Sequence, residues 1–174
     1  NDLAAIKCLD AHGIRIENCS FENTFFGIYL SNTDSSFIMG NRLEAFAENE
    51  YQLGNGIHLW KCTRAVIQDN QIKGHRDGIY FEFVTDSQIR GNISNENMRY
   101  GLHFMFSHDD VYEHNIFRNN GAGVAVMYSR RVHMYHNLFE DNWGSSSYGM
   151  LLKDISDSEV IQNQFTGNTT GIFM

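Results

Sequence analysis

The sequence predicts an all-β chain wound as a right-handed parallel β-helix, a solenoid of about seven coils of roughly 22 residues. Three observations predict it. A glycine followed by apolar, any, apolar recurs at Gly27-Ile28-Tyr29-Leu30, Gly56-Ile57-His58-Leu59, Gly78-Ile79-Tyr80-Phe81, Gly101-Leu102-His103-Phe104, Gly123-Val124-Ala125-Val126, Gly149-Met150-Leu151-Leu152 and Gly171-Ile172-Phe173-Met174, with a degenerate copy at Ala5-Ile6-Lys7-Cys8. Fourteen residues after each glycine from Gly27 to Gly149 stands an asparagine: Asn41, Asn70, Asn92, Asn115, Asn137 and Asn163. No window carries an apolar stripe of helical period and length, which sets the repeat apart from leucine-rich repeats of similar size.

Each part of the unit has a physical reading. In the Gly-led segment apolar residues alternate, so the first and third residues after glycine point inward and the second and fourth outward. The asparagine falls at a turn, where stacked side-chain amides can bond their counterparts in the coils above and below. Two residues beyond it come Phe21, Leu43, Ile72, Phe117, Phe139 and Phe165, with Ser94 the exception, which predicts a second inward-facing strand. The copies begin 22, 29, 22, 23, 22, 26 and 22 residues apart. The two longer coils, around 44–55 (Glu48-Asn49-Glu50-Tyr51-Gln52) and 140–148 (Trp143-Gly144-Ser145-Ser146-Ser147), are expected to bulge as loops on one side, often the working side of a solenoid. The chain reads as one β-helix domain over 1–174, incomplete at both ends: no basic leader precedes Asn1, and Gly171-Ile172-Phe173-Met174 is half a motif.

Composition narrows the function classes. Thirteen Lys and Arg against 21 Asp and Glu give a net charge of −8, which argues against nucleic acid and against direct attraction to an anionic membrane. No apolar run approaches the ~18–20 residues needed to span a bilayer. Cys8, Cys19 and Cys62 form no C-x-x-C pair and leave one thiol odd, so neither a disulfide scaffold nor a structural zinc site is indicated.

The outward ladders carry the chemistry. The second position after glycine runs Tyr29, His58, Tyr80, His103, Ala125, Leu151, Phe173; the fourth runs Ser31, Trp60, Glu82, Met105, Met127, Lys153. His103 and Met105 lie on one strand face, and Met127 is expected to stack on Met105 about 5 Å away. One imidazole and two thioethers form a soft ligand set, better suited to Cu(I) than to zinc, calcium or magnesium. His58, two coils before His103, could add a second imidazole only across a bridged gap. The same residues could instead be an apolar patch covered by a loop or a partner, where methionine is common filler. His114 and His136, just before the asparagines of adjacent coils, could ligate a metal as stacked imidazoles but read rather as turn residues that stack, and His12, His75, His108 and His133 read as surface residues.

A carbohydrate-binding or carbohydrate-cleaving β-helix is the alternative, with Tyr29, Trp60 and Tyr80 as its aromatic face and Glu82 as its acid. Glycoside hydrolysis needs two carboxylates on one face. Asp109-Asp110 reads instead as a solvated corner, and neither a Gly-His-Gly nor an Arg-x-Lys string occurs. An Asp-Pro-His-Asp motif is impossible in a chain without proline.

Arg99-Tyr100-Gly101-Leu102-His103-Phe104-Met105-Phe106, then Ala125-Val126-Met127-Tyr128-Ser129, with Gly54-Asn55-Gly56-Ile57-His58-Leu59-Trp60, resemble the NosD family over roughly 54–174. The resemblance implies a non-enzymatic periplasmic β-helix that handles Cu(I) for the copper centres of nitrous oxide reductase. It implies as partners the permease and ATPase of an ABC transporter, a lipoprotein copper chaperone and the apo-reductase, with membrane association only through the transporter. Carried over to this sequence, the copper ligands would be His103, Met105 and Met127, with His58 as a further candidate.

Overall fold

The computed structural model describes residues 3–47 and 49–174, so Glu48 of the first predicted insertion lies outside the described residues. Among the described residues the chain is almost entirely short strands, with one 3-10 turn at Glu50–Gln52 inside that insertion. Every strand pairing is parallel, and each strand pairs with its equivalent one repeat away, which is the connectivity of a β-solenoid. Three sheets run along the axis, of eight, seven and seven strands. The eighth strand of the first sheet is the degenerate copy: Ala4–Leu9 pairs with Phe26–Ser31 in full register despite lacking the glycine. That adds one turn to the seven expected.

The sequence rule for the first sheet holds where it predicts burial. Ile28, Leu30, Ile57, Leu59, Ile79, Phe81, Leu102, Phe104, Val124 and Val126 are fully buried. The second sheet contributes Ile38, Ile67, Ile89, Tyr112 and Met134, and the third Leu43, Ile72, Phe117 and Phe139. Glycine recurs because the coils close in on each other at that point: a Cβ on Gly101 would lie 2.8 Å from the Gly123 carbonyl oxygen and 2.8 Å from Phe117 Cδ1. Ser94 breaks the apolar pattern of the third sheet for a related reason. Its hydroxyl donates to the Gly101 carbonyl at 2.7 Å and accepts from Asn97 at 3.0 Å, so a small polar residue replaces the ring used elsewhere.

The asparagines form a continuous ladder. Each side-chain Nδ2 donates to Oδ1 of the next: Asn41 to Asn70 at 3.0 Å, Asn70 to Asn92 at 2.9 Å, Asn92 to Asn115 at 3.0 Å, Asn115 to Asn137 at 3.0 Å and Asn137 to Asn163 at 2.9 Å. The second hydrogen of each amide reaches a main-chain carbonyl, as from Asn92 to Ile67 at 2.9 Å. At its start Cys19, in the asparagine position, offers only its backbone N–H to Asn41.

A second ladder, unpredicted, follows nineteen residues after the glycines, through Asn97, Asn120, Asn142 and Asn168. Its first member is His75, whose backbone N–H donates to Asn97 Oδ1 at 3.0 Å. His75 is therefore not the expected surface residue but is buried. The corner at Asp109-Asp110 also differs from expectation. Asp109 is half-buried and accepts from the Arg131 guanidinium at 2.5 and 2.7 Å, whereas Asp110 turns inward, is fully buried, and accepts from the Ser87 N–H at 2.9 Å. Both long connections leave the third sheet and return to the first, at 45–56 and 141–149, and so lie over the same edge of the first sheet.

Candidate functional site

The outer face of the first sheet is set by its register. Tyr29, His58, Tyr80, His103 and Ala125 are successive partners in one row, and Ser31, Trp60, Glu82, Met105, Met127 and Lys153 in the next. Met105 and Met127 are therefore paired directly across adjacent strands, and His103 precedes Met105 by two residues on the same strand. Both methionines are half-buried.

His103 departs from the simple picture of an outward-facing, solvated side chain. It is only 4% exposed, because the Tyr100 ring lies 4.7 Å away and Tyr80 meets it edge-on at 5.1 Å. Both ring nitrogens are buried without a hydrogen-bond partner. Tyr80 also reaches Met105: its phenol points at Met105 Sδ at 3.6 Å and at Glu82 Oε2 at 3.4 Å. Burial, helped by the Glu82 and Asp77 charges, pushes the Tyr80 phenol up to about 12, so it stays protonated beside the thioether.

His58 is placed elsewhere. Its ring lies between those of Tyr29 and Tyr80, 4.8 Å from each and nearly parallel to both, and its Nδ1 lies 3.0 Å from the Asn55 side-chain nitrogen. Tyr80 thus stands between the two histidines, and the structure does not bring His58 to His103. His114 and His136 stack at 4.9 Å with their planes 3° apart, exposed on the far corner. Of the remaining histidines, His12 pairs with Asp34 and His133 with Glu159.

A third row was not anticipated. The residue before each glycine also turns toward this face, as the contacts of Phe26 with Tyr29 and of Tyr100 with His103 show. The row runs Phe26, Asn55, Asp77, Tyr100, Ala122, and Asp77 is its one charged member. Asp77 is fully buried, with Arg76 Nε at 4.0 Å, Arg99 Nε at 3.9 Å and His103 Nδ1 at 3.7 Å. The signal lay in the sequence as a lone carboxylate in an otherwise uncharged repeat position.

Among the described residues, no three His, Cys, Asp or Glu side chains converge as a metal-binding group. Two register-paired thioethers beside an imidazole whose nitrogens make no hydrogen bond form a donor set suited to a soft ion.

Fold and site together define a parallel β-helix that carries methionines and an imidazole on the outer face of its first sheet. The family described as "Periplasmic copper-binding protein (NosD)" matches residues 44–174, three-quarters of the sequence, and the chain belongs to it. No curated protein matches. Among solved structures, the chain is similar to DFA-IIIase from Arthrobacter chlorophenolicus A6 in complex with GF2, at 14% identity and a TM-score of 0.82, over 93% of this chain and 44% of that one. It is also similar to the periplasmic alginate epimerase AlgG, at 12% identity and a TM-score of 0.74, over 98% and 48%. A third likeness is to tailspike protein 2 of Escherichia coli O157:H7 bacteriophage CAB120, at 10% identity and a TM-score of 0.73, over 93% and 24%. The chain thus spans less than half the length of each of these structures, and likeness at such identities is one of fold. Among the described residues no helix is long and apolar enough to cross a membrane.

Proposed function

We propose that this chain is a periplasmic, non-enzymatic Cu(I) carrier that takes up and hands on copper for the copper centres of nitrous oxide reductase. One observation carries the reading: Met105 and Met127 are register partners on the outer face, next to an imidazole whose nitrogens make no hydrogen bond. Thioethers hold Cu(I) but exchange readily, which suits a protein that must release its cargo. In this reading the ABC transporter permease and ATPase, the lipoprotein chaperone and the apo-reductase are the partners, and the cargo is copper rather than a resident cofactor. Family membership supports copper as the metal.

A carbohydrate role would need aromatic faces open to sugar rings. Tyr29 and Tyr80 instead each present a face to His58, and the Lys61 ammonium lies 4.3 Å over the Trp60 ring. The test is anaerobic titration of the chain with Cu(I) against a chromophoric competitor, beside the Met105→Leu/Met127→Leu double variant. Uptake by the parent and its loss in a folded variant is the expected result. Equal uptake by both would overturn the site. No uptake by the parent would overturn a self-sufficient site and make a glycan screen the next step.

A further inference from the structure

His103 cannot choose its own orientation. With Tyr100 tilted against it and Tyr80 meeting it edge-on, its imidazole has little freedom to swing. What remains open is which nitrogen carries the hydrogen, and a metal ligand needs the lone pair on the nitrogen that faces the metal. In metal sites that choice is commonly set by a carboxylate bonded to the other nitrogen, and losing it costs about 10- to 100-fold in affinity.

The structure holds such a carboxylate in an unusual state. Asp77 is fully buried and neither of its oxygens is in a hydrogen bond. An isolated buried carboxylate is costly, so a charge here needs compensation. Arg76 and Arg99, each about one-third exposed, supply it from 4.0 and 3.9 Å without closing a hydrogen bond. Arg99 is in turn met by Glu50 of the first insertion at 3.9 Å. Asp77 Oδ2 is therefore still able to accept a hydrogen, and Nδ1 of His103 lies 3.7 Å from it. That gap is longer than a hydrogen bond, so the contact as it stands is electrostatic and becomes a hydrogen bond only where the two side chains draw closer.

We propose that Asp77 is the positioning residue of the site: it draws the ring hydrogen of His103 to Nδ1 and so leaves the Nε2 lone pair for the Cu(I) that Met105 and Met127 hold. The role rests on the copper reading, but its first readout does not need copper. Nitrogen-15 NMR of the copper-free chain, with the His103 signals assigned by loss in His103→Gln, reports the tautomer directly. The Nδ1–H tautomer is expected at neutral pH, and the Nε2–H tautomer in the wild-type chain would overturn the proposal. Asp77→Ala places in this row the residue it already carries at Ala122. That variant should shift the tautomer toward Nε2–H and weaken Cu(I) binding by 10- to 100-fold, and Asp77→Glu should recover part of both. Should Asp77→Ala not fold, the wild-type tautomer still decides. An unchanged tautomer and unchanged copper affinity in folded Asp77→Ala would overturn the role while the copper site stood. Retention of copper by Met105→Leu/Met127→Leu would overturn the site itself, separately from the tautomer result.

Discussion

Asn115 Oδ1 accepts two hydrogen bonds from Asn92, one from its backbone N–H at 2.9 Å and one from its side chain at 3.0 Å. One oxygen thus satisfies two buried donors of the neighbouring coil, and the arrangement repeats along the axis. Replacing Asn115 with Ala orphans the Asn92 backbone N–H and leaves the Asn92 amide only the carbonyls of Ile67 and Arg90. At about 1–3 kcal/mol for each buried group left unsatisfied, Asn115→Ala should lower stability by roughly 3 kcal/mol in urea unfolding. Asn163→Ala, at a partly exposed rung, should cost less. Equal losses at the two positions would show that burial does not set the strength of the ladder.

Asp110 makes stability fall as pH rises. Burial is the main force lifting its carboxyl well above the usual range, and the Asp86 and Asp109 charges add to it. The folded state therefore holds this proton more tightly than the unfolded one. The stabilisation is complete below about pH 3.9, the unfolded value, and is lost progressively as pH rises toward the folded value. Asp110→Asn keeps the oxygen that accepts from Ser87 and has no proton to lose. Melting temperatures of parent and variant should converge at low pH and separate upward, with the variant higher at pH 7. A constant offset across pH would refute this.

His75 acts in the opposite direction. Burial pulls its imidazole down from 6.5 to about 4, so the fold requires it neutral. The stability it protects is present above pH 6.5 and is lost as pH falls toward 4. That shift corresponds to roughly 3 kcal/mol at 1.36 kcal/mol per pH unit. His75→Asn puts into the second ladder the residue found at its other rungs and removes the titration. The variant should lose less stability than the parent between pH 6.5 and 4, as read by thermal unfolding.

Gly101→Ala introduces a methyl group 2.8 Å from a main-chain oxygen of the next coil, where no side chain can yield. Overpacking of this kind typically costs about 1–3 kcal/mol. Gly13→Ala serves as the comparison: its Cβ would meet nothing within 4 Å, although its φ of +67° adds backbone strain. Gly101→Ala should be the more destabilising, and the reverse order would show that coil spacing is not what fixes the glycine.

The solenoid was legible in the sequence because its determinants are periodic. Inward apolar residues, glycine at the close approach and asparagine at the turn must recur once per coil, and even Ala5 and Cys19 keep register without the usual residue. The row register that pairs Met105 with Met127 followed from the same period. Burial on the outer face did not, because it depends on neighbours in other coils: His103 is enclosed by Tyr80 of the preceding coil and by Tyr100, three residues before it. Asp77, His75 and Asp110 escaped for one shared reason. Each is a polar residue whose neighbours come from other coils, and only the three-dimensional contacts show that it is buried.

The asparagine ladder has a direction. Each rung from Asn41 to Asn137 gives one side-chain hydrogen to the oxygen of the later coil and accepts on its own oxygen from the earlier one, so the side-chain carbonyl dipoles add along the axis as peptide dipoles do along a helix. Such a column can be lengthened by inserting a whole coil in the same sense. A coil inserted in reverse would set oxygen against oxygen at one junction and hydrogen against hydrogen at the other. Duplication of the 22-residue unit is thus the natural route by which a chain of this kind grows.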